Sequence, residues 1–127
     1  MVDVIYVAVA GGLGAISRYY LSGLAQRVGS EFPFGTLTVN LVGSFLLGLI
    51  MQTGISTDLM PRALRLALTI GFLGAFTTFS TFSYETLGYL EDGAWLTASL
   101  NVLINVVPGI IAVFLGAFLA RTILGGA

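Results

Sequence analysis

Apolar residues run along the chain in four long blocks, at about 4–24, 35–55, 63–90 and 94–124, parted by short polar intervals. Each block reaches the roughly 20 mainly apolar residues that a helix needs to cross a bilayer. The intervals carry the breakers and charges. Arg27, Glu31 and Pro33 mark the first, Pro61 and Arg62 close the second, and Glu91, Asp92 and Gly93 read as a tight acidic turn. The expectation is an all-α membrane protein with four transmembrane helices in a single domain over 1–127.

Polar residues inside the blocks are few and periodic. Thr36, Asn40 and Ser44 fall at i, i+4 and i+8 of the second block, and Thr97, Asn101 and Asn105 repeat that spacing in the fourth, so each set shares one helix stripe. Gly11, Gly14 and Ala15 make a small face on the first helix; Ala112, Gly116 and Ala120 make the small-xxx-small spacing of close helix contact on the fourth. Pro108-Gly109 predicts a kink there.

The third block is the longest and the least regular. Its stretch GFLGAFTTFSTFSYET at 71–86 threads Phe72, Phe76, Phe79 and Phe82 through the hydroxyls of Thr77, Thr78, Ser80, Thr81 and Ser83, with Glu85 near the end. Such hydroxyls compete for backbone hydrogen bonds, and Gly71 and Gly74 precede them, so the helix is expected to break at 74–78 and resume. Hydroxyls at membrane depth are tolerated where they face protein or a water-lined path. This stretch is therefore the candidate functional centre.

Composition excludes most other classes. Of 127 residues 57% are hydrophobic and 9% charged, and there is neither cysteine nor histidine. Soluble domains carry roughly 25% charged residues. Disulfides, thiolate sites and a histidine proton shuttle are ruled out. A net charge of −1 argues against nucleic acid as a partner. The acidic start MVDV is unlike a signal peptide, so the first block reads as a retained helix.

The arginines divide almost evenly. With four crossings, Arg62, Arg65 and Arg121 lie on one side, and Arg18 and Arg27 on the other. That bias is too weak to orient the chain by the positive-inside rule. Either the protein simply has few charges, or it inserts both ways and pairs with an inverted copy of itself, which would supply the in-plane two-fold axis of larger transporters. Four helices are too few to enclose a shielded pore, which also points to a dimer.

The asparagines read either as interhelical glue or as a polar track, and two aligned stripes beside a hydroxyl run favour the track. The sign of a permeant follows from the donors: amide NH2, hydroxyls, freed backbone N–H and Arg18. Ring edges are the positive part of the phenylalanine quadrupole, so Phe79 and Phe82, on one face at i, i+3, serve either packing or an anion path.

GTLTVNLVGSFLLG at 35–48, GFLGAFTTFSTFSYET at 71–86, four hydrophobic segments and Arg18 late in the first helix together resemble the Fluc (CrcB) fluoride-channel family over nearly the whole chain. That resemblance implies an antiparallel, dual-topology homodimer with two fluoride pores in a bacterial inner membrane, passively exporting fluoride that enters as neutral HF. It implies no enzyme. Phe79 and Phe82 match the pore phenylalanines, and Asn40 the pore asparagine. Thr81 and Ser83 match the hydroxyl segment beside them, Glu85 the third-helix acid and Arg18 the vestibule arginine. Gly74 and Thr77 match the positions whose carbonyls hold a structural sodium ion, Na+, on the two-fold axis. Ala75 stands where many members have a second glycine. The fourth helix carries Asn101, Asn105 and Pro108-Gly109 where others often have tyrosine, serine or histidine and Gly-Ser. Asn101 and Asn105 are counted in the fluoride pathway. Two other readings remain: a small dual-topology multidrug exporter, which would need a first-helix acid that is missing after Asp3, and a non-conducting membrane anchor.

Overall fold

The computed structural model describes residues 1–125, and these form helices joined by short connections, with no strand among the described residues. Helix α1 spans Val2–Gln26, α2 Phe34–Ser56, α4 Phe79–Glu91 and α5 Trp95–Ile123. Between α2 and α4 lies α3, a helical run over 62–76. Four stretches are long and apolar enough to cross a membrane, the third being Arg62–Glu91, which takes in α3 and α4 together. The four expected blocks thus correspond to four helical spans, displaced by two residues or fewer at each end.

Helix α3 is not uniform. Arg62–Leu66 and Gly74–Phe76 are α-helical, but Ala67–Leu73 between them is wound as a π-helix. Gly74 N–H accordingly donates to the Thr69 carbonyl, five residues back. Wide turns of this kind are rare and cluster at functional sites. Contact with α1 goes with the wide turn. A Cβ on Gly71 would lie 2.7 Å from the Val7 carbonyl oxygen, and one on Gly14 would collide with the Phe72 carbonyl. Two glycines therefore let the backbones of α1 and the π segment touch.

The helix then breaks where the hydroxyl run begins. Thr77 (ψ 160°) and Thr78 (φ −149°, ψ 117°) are extended. Thr78 caps α4: its Oγ1 accepts the Thr81 N–H at 3.2 Å, satisfying one of the orphan donors of the first turn. The opposite pair, α2 and α5, is the most extensive packing in the chain and runs without interruption. Gly48 faces the Val113 carbonyl and Gly116 the Phe45 carbonyl, each with no room for a Cβ. Gly116 and Ala120 of the small-residue face are buried there. Helix α5 continues through Pro108, so the expected kink does not interrupt it.

Val39, Leu73 and Phe76 form the buried cluster where α2 and α3 meet, with Leu21, Leu46, Ile50 and Phe72 packed against it. Little else is buried. Leu, Ile, Val and Phe side chains cover the outside of α1 and α5, as expected for helices whose solvent is lipid. The connection after α1 is tied by Gln26, whose Nε2 donates to the carbonyls of Gly29 (2.7 Å) and Phe32 (2.9 Å) while its Oε1 accepts from Gly35 N–H (3.1 Å). Gly93, at φ +74°, makes the acidic turn before α5.

Candidate functional site

A broken helix inside an apolar fold leaves peptide groups that must be paired. The Asn40 side chain does this for Thr78. Its Oδ1 accepts the Thr78 N–H at 2.8 Å, and its Nδ2 donates to the Thr78 carbonyl at 3.1 Å. One amide thus replaces the two backbone partners that the break removed. The same Nδ2 also donates to Asn105 Oδ1 at 3.2 Å. Asn105 Nδ2 donates onward to the Asn101 carbonyl (2.9 Å) and to Asn101 Oδ1 (3.1 Å). Asn101 is fully buried, and its Nδ2 donates to Thr86 Oγ1 at 3.0 Å. Thr86 Oγ1 closes the chain on the Phe82 carbonyl at 2.8 Å. The two expected stripes therefore meet across the bundle and are tied to both sides of the break.

Two grooves flank this network. The first, of 320 Å³, has Asn40, Ser44, Asn105, Thr77, Phe79 and Phe82 on its walls. The second, of 340 Å³, is lined by Arg18, Tyr19, Ser22, Thr36, Thr78 and Thr81, with Ala15 and Val39. Thr78 lines both, so the extended residue is the wall they share. No carboxylate lines either groove, and Arg18 contributes a cation to the second. A lining of neutral polar groups without an acid, with one cation in the second groove, suits an anion better than a cation.

The two rings differ sharply. Phe82 is 8% exposed and Phe79 is 79% exposed, although their centroids lie only 5.6 Å apart with planes at 52°. Gly74, Ser80 and Thr81 are exposed on the break as well. Glu85 lines neither groove. Its Oε1 accepts from Thr36 Oγ1 at 2.6 Å, and its Oε2 is buried without a partner. Ser83 also lies off the grooves, donating its hydroxyl to the Phe79 carbonyl at 2.9 Å. Of the residues picked out from the sequence, Asn40, Gly74, Thr77, Phe79, Phe82 and Asn105 share one groove, and Arg18 and Thr81 the other. Asn101 sits behind the first. Ser44, Thr69, Thr78 and Thr86 were not among the candidate site residues, although Ser44 belonged to the α2 stripe and Thr78 to the hydroxyl run.

Gly74 and Thr77 also lose their helical donors. The N–H four residues after Gly74 is that of Thr78, which goes to Asn40; the one four after Thr77 is that of Thr81, which goes to Thr78 Oγ1. Both carbonyls are thereby left to accept from elsewhere. No group of three or more His, Cys, Asp or Glu side chains that could hold a metal occurs among the described residues. Two carbonyls relieved of their helical donors are oxygens of the kind a hard cation takes.

Comparison with known proteins gives a single family. The profile described as "CrcB-like protein, Camphor Resistance (CrcB)" matches residues 5–117. A protein of Geobacter sp. strain M21 named "Fluoride-specific ion channel FluC" is 50% identical over 124 residues, 97% of this chain and 100% of that protein. One of the same name from Geobacter metallireducens is 52% identical over 122 residues, covering 95% and 98% of the two chains. A third, from Dehalococcoides mccartyi, is 50% identical over 120 residues, or 94% and 92%.

Proposed function

The chain belongs to the CrcB family, and from that premise we propose that it is a passive fluoride-selective channel in a bacterial inner membrane. Its work is transport, with no bond made or broken. The observation that carries this reading is the groove at the helix break, where Phe79, Phe82, Asn40 and Asn105 meet without a carboxylate. Fluoride is small and holds its water tightly, so each lost water must be replaced by a compact donor. Hydroxyls, amide N–H groups able to exchange a protein acceptor for the ion, and the positive edges of Phe79 and Phe82 are the groups the groove offers for that. Arg18, in the groove across Thr78, raises the local concentration of anions at one mouth. Thr81 adds a hydroxyl there, whereas Ser83, Glu85 and Asn101 act from behind the lining, as its hydrogen-bonded support.

The conducting unit in this reading is an antiparallel homodimer with two pores. What supports it is the exposed face at the break: Phe79, Ser80, Thr81 and Gly74. Hydroxyls and irregular backbone do not face lipid within the hydrocarbon region, being tolerated only against protein or water. An inverted second copy covers that face, and the even division of arginines suits insertion in both directions. The freed carbonyls of Gly74 and Thr77, contributed by both copies, would hold Na+ at the two-fold axis. The ion would supply positive charge to neutralise carbonyl dipoles that otherwise repel one another.

The decisive experiment is fluoride-electrode recording of efflux from proteoliposomes, with chloride as control. Rapid fluoride release with chloride retained is the expected result. Release of neither ion, or of both equally, overturns the assignment.

A further inference from the structure

The asparagine chain has a direction that its end groups impose. At one end, Thr86 spends its only hydroxyl hydrogen on the Phe82 carbonyl, so its oxygen must receive from Asn101. Asn101 therefore turns its NH2 to Thr86 and its Oδ1 to Asn105. Asn105 must answer with its NH2, whose two hydrogens meet Asn101 Oδ1 and the Asn101 carbonyl. That leaves Asn105 Oδ1 aimed at Asn40. At the other end, the Thr78 N–H requires Asn40 Oδ1, which turns the Asn40 NH2 toward the Thr78 carbonyl and Asn105. Both ends fix the same orientation, independently.

A count of donors follows. Both amide hydrogens of Asn40 and both of Asn105 are taken by protein oxygens. The groove thus has amide groups on its wall but no free amide hydrogen. One of the four bonds differs from the others. The Asn40 Nδ2–Asn105 Oδ1 contact, at 3.2 Å, is the one of the four that joins side chains of two different helices, and both residues line the groove. It is a neutral oxygen sitting on the donor that an anion in the groove would need.

We propose that Asn105 is a specificity-determining residue whose Oδ1 occupies the anion's seat on the Asn40 NH2, and that permeating fluoride must displace it. This rests on the channel reading above. Fluoride, a strong compact acceptor, outcompetes a neutral amide oxygen because hydrogen bonds to charged groups are the stronger kind. Chloride, larger and a weaker acceptor, gains less from the exchange. The Asn105 carbonyl thereby acts as a threshold that only a strong acceptor passes.

The test is the half-saturating fluoride concentration for efflux, measured on wild type, Asn105→Ala and Asn105→Asp proteoliposomes, with the folded state of each checked by its elution volume. Removing the competing oxygen in Asn105→Ala should lower half-saturation by roughly threefold to tenfold, the range set by losing one neutral hydrogen bond, and should raise chloride leak. Asn105→Asp fixes a stronger acceptor on the same seat and should raise half-saturation by about tenfold or more. Should Asn105→Ala fail to fold, the Asn105→Asp shift alone decides. A rise in half-saturation for the alanine variant would make Asn105 an anion donor, and unchanged values in both variants would make it helix glue; each result overturns the proposal while leaving the channel reading standing. A wild-type protein that passes no fluoride overturns both.

Discussion

The two long contacts of this bundle solve the same problem in opposite ways. Helices α2 and α5 meet at Gly48 and Gly116, each pressed on a carbonyl of the other helix, over an unbroken length. Helix α1 meets the π segment of α3 through Gly14 and Gly71 with equal closeness, yet that second helix is widened and then broken within a few residues. Close backbone approach by itself therefore leaves a helix regular. What distinguishes the second region is the run of hydroxyls, and an asparagine from α2 placed to complete the peptide groups that the break exposes. The first contact keeps both helices regular; in the second the scaffold opens at a polar run, with Thr78 buried and Ser80 and Thr81 exposed.

That contrast can be tested from the scaffold side first. A Cβ at Gly116 has a carbonyl in its place, and a backbone atom cannot swing aside as a side chain can. Gly116→Val should therefore cost well over the ~1–3 kcal/mol of ordinary overpacking and abolish recovery of folded protein, read as the monodisperse peak in detergent. Recovery of wild-type amounts would show that the α2–α5 contact is looser than its glycines require.

At the break the expected losses are of transport rather than fold. Phe82→Leu keeps an apolar side chain in the buried site but removes the ring edge. Fluoride efflux should fall at least about tenfold, the equivalent of one lost interaction of about 1.4 kcal/mol, with elution unchanged. Efflux equal to wild type would sink the role given to the rings. Asn40→Ala strands both peptide groups of Thr78 and should destabilise by about 2–4 kcal/mol, the sum for two unpaired groups at the lower end of their usual cost. Asn40→Asp retains the acceptor for the Thr78 N–H and should recover part of that loss in a denaturation assay. If the two variants melt alike, Asn40 does not support the break.

The mildest change is Thr36→Val, which removes the 2.6 Å bond to Glu85 without altering volume. Hydrogen bonds between membrane helices average about 0.6 kcal/mol, so stability should drop by about that amount. A loss several times larger would mean that Glu85, with its buried unpaired Oε2, depends on Thr36 to stay inside the bundle.

Much of this was legible along the chain because it is local. Span lengths follow from the apolar blocks, since lipid demands about 20 residues of helix. The break follows from Thr77 and Thr78 ahead of a run of hydroxyls, the turn from Gly93, and the meeting of two stripes from the i, i+4, i+8 spacing of Asn40 and of Asn101 with Asn105. Pro108 predicts a kink by its local signature, and α5 continues through it as one helix.

Other features belong to the tertiary structure alone. The π segment at Ala67–Leu73 has no pattern of its own along the chain, and it lies where α1 packs against α3. Phe79 and Phe82 look equivalent in sequence, yet one is buried and the other bare. The sequence by itself determined that the chain lives in lipid, how many times it can cross and where one crossing fails, since these depend on residue types over short windows. The direction of the asparagine chain, and with it the oxygen aimed at Asn40, depended on which hydroxyl and which peptide group each helix brought to the far end, which only three-dimensional packing decides.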